Sequence, residues 1–256
     1  MISDKAIIDP TAKISKNVTI GPFAIIGPQV ELGEGCWIGP HAVVNGPTKM
    51  GKNNKVFQFA SVGECPQDKK YNGEPTRLEI GDNNVFRECT TISRGTAKGV
   101  GLTKIGDNNL FMAYVHIAHD CSVGNNTVFS NNASLAGHVT VGDFANMGGF
   151  VGVHQFCHIG SYCFCAGGSI IVKDVLPYIM VSGHPAQIYG LNTEGLKRNG
   201  FTPDEIACLK RAYKTLYRES LSLEEAVHRI EAMLPECARL EEFLGMIKDT
   251  TRGITR

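Results

Sequence analysis

The chain has no excess of either charge, no long apolar run and no cysteines at zinc or redox spacing. Lys plus Arg number 25 and Asp plus Glu 25, so no global field draws it to nucleic acid or anionic lipid, and a charged partner must be held by a local patch. No apolar segment approaches a membrane span, and the opening MISDKAIIDPTAKIS has no basic-then-apolar leader; a cytoplasmic protein is expected. The nine cysteines include no C-x-x-C. Cys36, Cys121, Cys157 and Cys165 stand where small buried residues are wanted, so reduced packing residues are expected. Cys163 and Cys165 are expected on opposite faces.

What is present is a period of six. Ile8, Ile14, Ile20, Ile26, Leu32, Ile38, Val44, Met50, Val56 and Val62 keep the step, and Ile80, Phe86 and Ile92 rejoin it. After a slip of one residue a second run goes from Ile105 to Ile171. Six fits neither the 3.6 of a helix nor the 2 of an ordinary strand. It predicts a parallel β-helix over about 6–178, with three six-residue sides per coil of eighteen and one continuous core. Corners are marked by GDNN at 81–84 and 106–109 and GNN at 124–126, where turns need restricted or positive φ. Two stretches break the pattern, ECPQDKKYNGEPTRLE at 64–79 and RGTAKGVGLTK at 94–104. Loops that leave a rigid scaffold at defined places more often carry function.

The tail changes period. Thr202-Pro203-Asp204-Glu205 predicts a helix start, Ser222-Leu223-Glu224-Glu225 a capping box and second helix, and a third helix is expected from about Glu236 to Lys248. The division expected is a mainly β domain over 1–190 and an α-helical domain over 191–256, the helices covering the open end of the coil.

Counted in coils of eighteen from Ile105, His154, His119 and His138 fall at positions 13, 14 and 15 of successive coils, about one strand spacing, ~4.8 Å, apart. Gln155 lies over His119, Asp120 under His138, and His116 just before the corner. Taken singly, such histidines simply stack and hydrogen-bond. Taken together, His119, Asp120 and Gly137 supply a base, a carboxylate to orient it and a backbone N–H for an oxyanion, the parts required for acyl transfer to a weakly acidic hydroxyl. A histidine column also suits zinc, and a trimeric β-helix hydratase is the alternative of a different class.

The stretches QDKKYNGEPTRLEIGDNN, HIAHDCSVGNN, LAGHVTVGDFA, VHQF and NTEGLKRNGF, in this order and across essentially the whole length, resemble the UDP-N-acetylglucosamine O-acyltransferases that begin lipid A synthesis in Gram-negative bacteria. The resemblance implies a homotrimer of left-handed parallel β-helices of hexapeptide repeats, with active sites between subunits. It also implies a β-hydroxyacyl chain carried on the phosphopantetheine of acyl carrier protein and transferred to the sugar 3-hydroxyl of UDP-N-acetylglucosamine, with no metal or cofactor. Carried over, His119 is the base, Asp120 its support and Gly137 the oxyanion donor. Asp68, Lys70, His116, His138, His154 and Gln155 bind the sugar or line its cleft. Asn192, Glu194 and Arg198 face the nucleotide, and Phe164 and Gly167 act as the acyl-chain ruler, a medium-to-long chain being expected. Arg211, Lys214 and Arg218, on one helical face, form a patch for the acidic carrier protein.

Three places depart from that pattern, the stretch GHPA at 183–186 among them. Ser93 stands where well-known members have histidine, and Asn199 replaces the second arginine of a KRR run, which weakens phosphate binding. Some members acylate a 3-amino sugar; the hydroxyl acceptor is expected here, with the amine as the alternative.

Overall fold

The computed structural model describes residues 1–256. Two-to-four-residue strands separated by tight corners wind into three sheets of nine, eight and ten strands, parallel throughout except where the third ends in a longer antiparallel pair. The first face runs from Ile7–Ile8 to Ile170–Ile171, the second from Lys13–Ile14 to His158–Ile159, and the third from Thr19–Ile20 to Phe164–Cys165 and on into the pair Ile179–Gly183 and Ala186–Leu191. Each strand pairs with the one a coil away, as in Ile117 opposite Leu135 and Val123 opposite Val141.

Period six arises because each side needs one inward side chain and one corner. From Ile20 to Ile171 the period-six anchors are buried, while Ile8 and Ile14 at the open first coil are only partly covered. Inside the third face Phe86, Phe111 and Phe129 stack with ring centroids 5.0 and 5.1 Å apart. At the corner between the second and third faces, fully buried Asn54, Asn84 and Asn109 form a ladder. Asn84 Nδ2 donates to Asn54 Oδ1 at 3.0 Å, and Asn109 N–H to Asn84 Oδ1 at 2.9 Å. Such a ladder satisfies the corner groups that burial would otherwise strand.

The outward residues differ from face to face. The second face alternates Lys13, Glu31, Lys49, Glu79 and Lys104 on successive rungs. The first carries Ile7, Ile25 and Val43, and the third Trp37, Val85, Leu110 and Val128. Where the third face turns into the first, Phe23, Phe59, Tyr114 and Phe150 project with half or more of their surface exposed. His41 stacks between Phe23 and Phe59 at 5.1 and 5.6 Å.

Both interruptions of the repeat leave from the corner between the first and second faces, between Ser61–Glu64 and Arg77–Ile80 and between Thr91–Ser93 and Leu102–Ile105. Arg94 ties them together: its guanidinium donates to the carbonyls of Gly46 and Gly63 at 2.9 and 2.8 Å and to the Tyr71 hydroxyl at 3.2 Å.

The helices are α1 (Thr193–Arg198), α2 (Pro203–Arg218), α3 (Leu223–Glu231) and α4 (Leu240–Asp249). The capping boxes of α2 and α3 form at Thr202/Glu205 and Ser222/Glu225. The last helix starts at Leu240 rather than near Glu236, because Leu234–Glu236 closes as a separate short turn around Pro235 and Cys237 is extended. The antiparallel pair at 179–191 and helix α1 have no repeat signature and were not anticipated. All nine cysteines are free. Cys163 and Cys165 both point inward, correcting the expectation of opposite faces, since residues two apart in an extended segment share a face. Burial pushes the Cys121 and Cys165 thiols up to about 12, the state of inert packing residues. No helix is long and apolar enough to cross a membrane.

Candidate active site

The corner that emits both loops also carries the histidines. His119 and Asp120, then Gly137 and His138, then Gln155 and Phe156 occupy it on successive coils. The His138 N–H donates to the His119 carbonyl at 3.0 Å and the Phe156 N–H to the Gly137 carbonyl at 3.2 Å. Asp120, His138 and Phe156 take φ of 58°, 62° and 65°, which turns the chain and brings the neighbouring side chain out beside the first face. Aspartate accepts this left-handed region more readily than most residues.

His119 Nδ1 lies 2.9 Å from Asp120 Oδ2, and the His138 Nε2 is 3.8 Å from the same oxygen. The Asp120 side chain is wholly buried, and its carboxylate accepts the Thr96 N–H at 3.0 and 3.1 Å and the Thr96 hydroxyl at 2.6 Å. Burial alone would raise the Asp120 pKa. The bonds from Thr96 and His119, with the His138 charge nearby, outweigh it and hold the carboxyl below its ordinary value. An ionised partner on Nδ1 fixes the tautomer that leaves His119 Nε2 as the free base.

Gly137 is beside the imidazole: a Cβ built on it would stand 2.6 Å from His119 Cε1, so no side chain fits there. Its N–H donates to no acceptor of the chain. His116 is on the adjoining strand, its Nδ1 2.7 Å from Thr91 Oγ1, and burial, with the His119 charge, lowers its pKa.

A groove of about 530 Å³ runs along the first face from this corner, lined by His116, His119, Gly137, His154, Ser134 and Gly152 among others. Two more residues line it: Ser93, which the sequence offered only as a departure from the family pattern, is buried, and Gln67, exposed on the first loop, carries no signal in the sequence that would have found it. Asp68 and Lys70 follow on that loop, the Lys70 N–H capped by Asp68 Oδ1 at 2.9 Å. His154 and Gln155 are exposed at the rim.

The residues expected to face the nucleotide lie elsewhere on the chain. Glu194, Arg198 and Asn199 line a separate pocket of about 360 Å³ on the third face, with Phe144, Asn146, Phe164 and Asn192. Asn192 also serves the fold: it caps α1 by accepting the Gly195 N–H at 3.1 Å and donates to the Tyr162 carbonyl at 2.8 Å. Glu194 pairs with Lys197 at 2.9 Å. Phe164 belongs to this pocket, whereas Gly167 sits at the corner between the third and first faces against Gly149. One chain therefore holds two separate pockets on two faces.

Of the basic face on α2, Arg211 is paired with Glu236, Arg218 donates to the Tyr213 hydroxyl at 3.0 Å, and Lys214 is exposed. Ligand atoms of His119, Asp120 and His138 lie within 4.8 Å of one another, a donor set a divalent metal can use. The Asp120 oxygens are already taken by Thr96 and His119.

A coil of six-residue repeats with an imidazole, an orienting carboxylate and an unspent N–H at one corner defines a hexapeptide-repeat acyltransferase. Comparison with known proteins narrows the class. A bacterial transferase hexapeptide model matches residues 102–137, and the model described as UDP N-acetylglucosamine O-acyltransferase, domain 2, matches 174–255. The acyl-[acyl-carrier-protein]--UDP-N-acetylglucosamine O-acyltransferases of Alkalilimnicola ehrlichii and Pseudomonas entomophila are 52% and 49% identical, over 100% of this chain and 99% of theirs. The LpxA structure from Acinetobacter baumannii superposes with a TM-score of 0.97 at 47% identity, covering 100% of this chain and 99% of that one. The UDP-N-acetylglucosamine acyltransferase of Francisella novicida gives 0.98 at 44%, covering 100% and 94%. The chain belongs to the UDP-N-acetylglucosamine O-acyltransferase family, and its coil is the left-handed β-helix.

Proposed function

We propose that this chain moves a β-hydroxyacyl group from the phosphopantetheine thioester of acyl carrier protein to the 3-hydroxyl of UDP-N-acetylglucosamine, the first step of lipid A synthesis. The observation that carries the reading is the His119–Asp120 pair held against the unspent Gly137 N–H at the mouth of the groove. His119 Nε2 takes the proton of the sugar hydroxyl as its oxygen attacks the thioester carbonyl. Gly137 N–H donates to the resulting oxyanion, and the imidazolium returns the proton to the departing thiolate. A sugar hydroxyl is too weak an acid to ionise near neutrality, whereas imidazole is poised there. His138, Gln155, Asp68 and Lys70 hold the sugar and its N-acetyl group, and His116 and His154 wall the groove. No metal or cofactor takes part. The carrier protein meets the basic side of α2 at Lys214, in a cytoplasmic reaction.

The working form is a homotrimer. The two faces that flank the corner of exposed aromatics carry apolar outward residues among uncharged polar ones, while the third possible neighbour surface is a charged ladder that suits water. Three copies meeting at the aromatic corner set the first face of one chain against the third face of the next. Arg198 and Phe164 of one subunit then complete the groove of its neighbour, with Arg198 meeting phosphate. Gly167, at that same corner, leaves the ruler open to a medium-to-long chain.

Ser93 on the groove floor beside His116 and His119 favours a second reading of the acceptor, a 3-amino sugar acylated to an amide. Nothing favours a zinc hydratase, which leaves the pocket at α1 without a task. The test is mass spectrometry of purified protein with UDP-N-acetylglucosamine or its 3-amino analogue and mixed β-hydroxyacyl carrier-protein thioesters, beside His119→Ala. An O-acyl product lost in the variant is expected; product only from the 3-amino sugar overturns the hydroxyl assignment, and product from neither overturns the reading.

A further inference from the structure

The second loop enters this site through a residue that the repeat arithmetic does not reach. Thr96 is 4% exposed and bonds to the Asp120 carboxylate twice over. Its N–H reaches both oxygens, at 3.1 Å to Oδ1 and 3.0 Å to Oδ2, and its hydroxyl donates to Oδ2 at 2.6 Å. The Gly99 N–H donates to Thr96 Oγ1 at 3.2 Å, so the hydroxyl hydrogen is directed to the carboxylate. Gly99 roofs the group: a Cβ there would stand 2.4 Å from Asp120 Cγ. At the far end of the loop Thr103 Oγ1 accepts the Asp120 N–H at 2.9 Å. The segment that breaks the hexapeptide phase is thus a clamp around one carboxylate.

That carboxylate lies between two imidazoles, with His119 Nδ1 at 2.9 Å and His138 Nε2 at 3.8 Å from the same oxygen. An unclamped aspartate could turn to either, and turning toward His138 would leave His119 without the partner that fixes its tautomer. We propose that Thr96 is a positioning residue for the base, its hydroxyl locking Asp120 onto His119 and away from His138. The inference rests on the assignment of His119 as base.

Thr96→Val removes the donor and keeps the shape, Thr96→Ser keeps the donor, and Thr96→Ala removes it with less bulk, so that a poor fit of valine cannot decide the result. In assembled enzyme, Thr96→Val and Thr96→Ala are expected to lower kcat roughly tenfold, the usual scale for a residue supporting a reacting group. KM for UDP-N-acetylglucosamine should stay within about twofold. With the lock gone, Asp120 turns part of the time to His138 and supports the His119 imidazolium less, so the acid limb of the kcat profile should move to lower pH, and Thr96→Ser should restore both quantities. Wild-type kcat and an unmoved profile in the valine and alanine variants, with His119→Ala inactive, overturn the role of Thr96 alone. Activity surviving in His119→Ala overturns the base assignment beneath it.

Discussion

If the two half-sites meet only between subunits, two inactive chains must rescue each other. His119→Ala destroys the half-site on the first face, and Arg198→Glu sets a carboxylate against the phosphates on the third. No residue lines both the 530 Å³ groove and the 360 Å³ pocket, so each variant leaves the other half intact. Co-expressing the two with different tags and purifying through both leaves only mixed trimers, of composition two to one or one to two. Around a three-fold ring either composition contains a single cleft with an unaltered first face from one chain and an unaltered third face from the next. Activity per trimer should therefore reach roughly one third of wild type. Each variant alone should fall at least about a hundredfold, the ordinary loss for a missing general base, so one third stands far above background. The assay is acyl transfer to UDP-N-acetylglucosamine, with trimer mass checked by light scattering. Mixed trimers no more active than the two parents would refute the intersubunit site and locate both halves of the reaction on one chain.

Three further outcomes are expected. Gly137→Ala keeps the N–H but drives a methyl into His119, and kcat should fall about a hundredfold, the cost of displacing a reacting group by an ångström, with far-UV circular dichroism unchanged; an active variant would remove the steric basis of the oxyanion corner. Asn84→Leu strands the Gly106 carbonyl and the Asn109 N–H, leaving Asn54 Oδ1 only the backbone N–H of residue 84; each stranded group costs about 1–3 kcal/mol when buried, so the urea midpoint should drop clearly while the intact enzyme at low urea still turns over. Acidification should weaken the fold in two stages. His116, with its folded pKa depressed, contributes stability present above the ordinary imidazole value near 6.5 and lost as pH falls from there through the folded value. Asp120, likewise depressed, contributes stability present above about 3.9 and lost below it. Thermal melts across pH should show His116→Gln abolishing the upper stage and Asp120→Asn the lower; melts of both variants that parallel wild type at every pH would contradict the assignment.

The division of labour between sequence and tertiary structure follows from what is periodic. Inward residues such as Ile117, Leu135 and Val153 repeat because every six-residue side buries one side chain and spends the rest on a corner. Fold, coil length and the corner shared by His119, Gly137 and Gln155 therefore reduce to counting, and the helix starts at Thr202 and Ser222 are equally local. Counting fails where the chain leaves the coil. The Thr96 contact to Asp120 spans 24 residues across the loop that shifts the phase; the hairpin at 179–191 follows no repeat; and the second task of Asn192, capping α1, has no signal in the repeat. Period six by itself determined the scaffold and the row of histidines, because backbone geometry converts that spacing directly into position. Only the tertiary structure decided that Thr96 grips the carboxylate and that the groove beside His119 and the α1 pocket occupy different faces, because irregular loops and the packing of whole faces depend on contacts between segments that no local pattern relates.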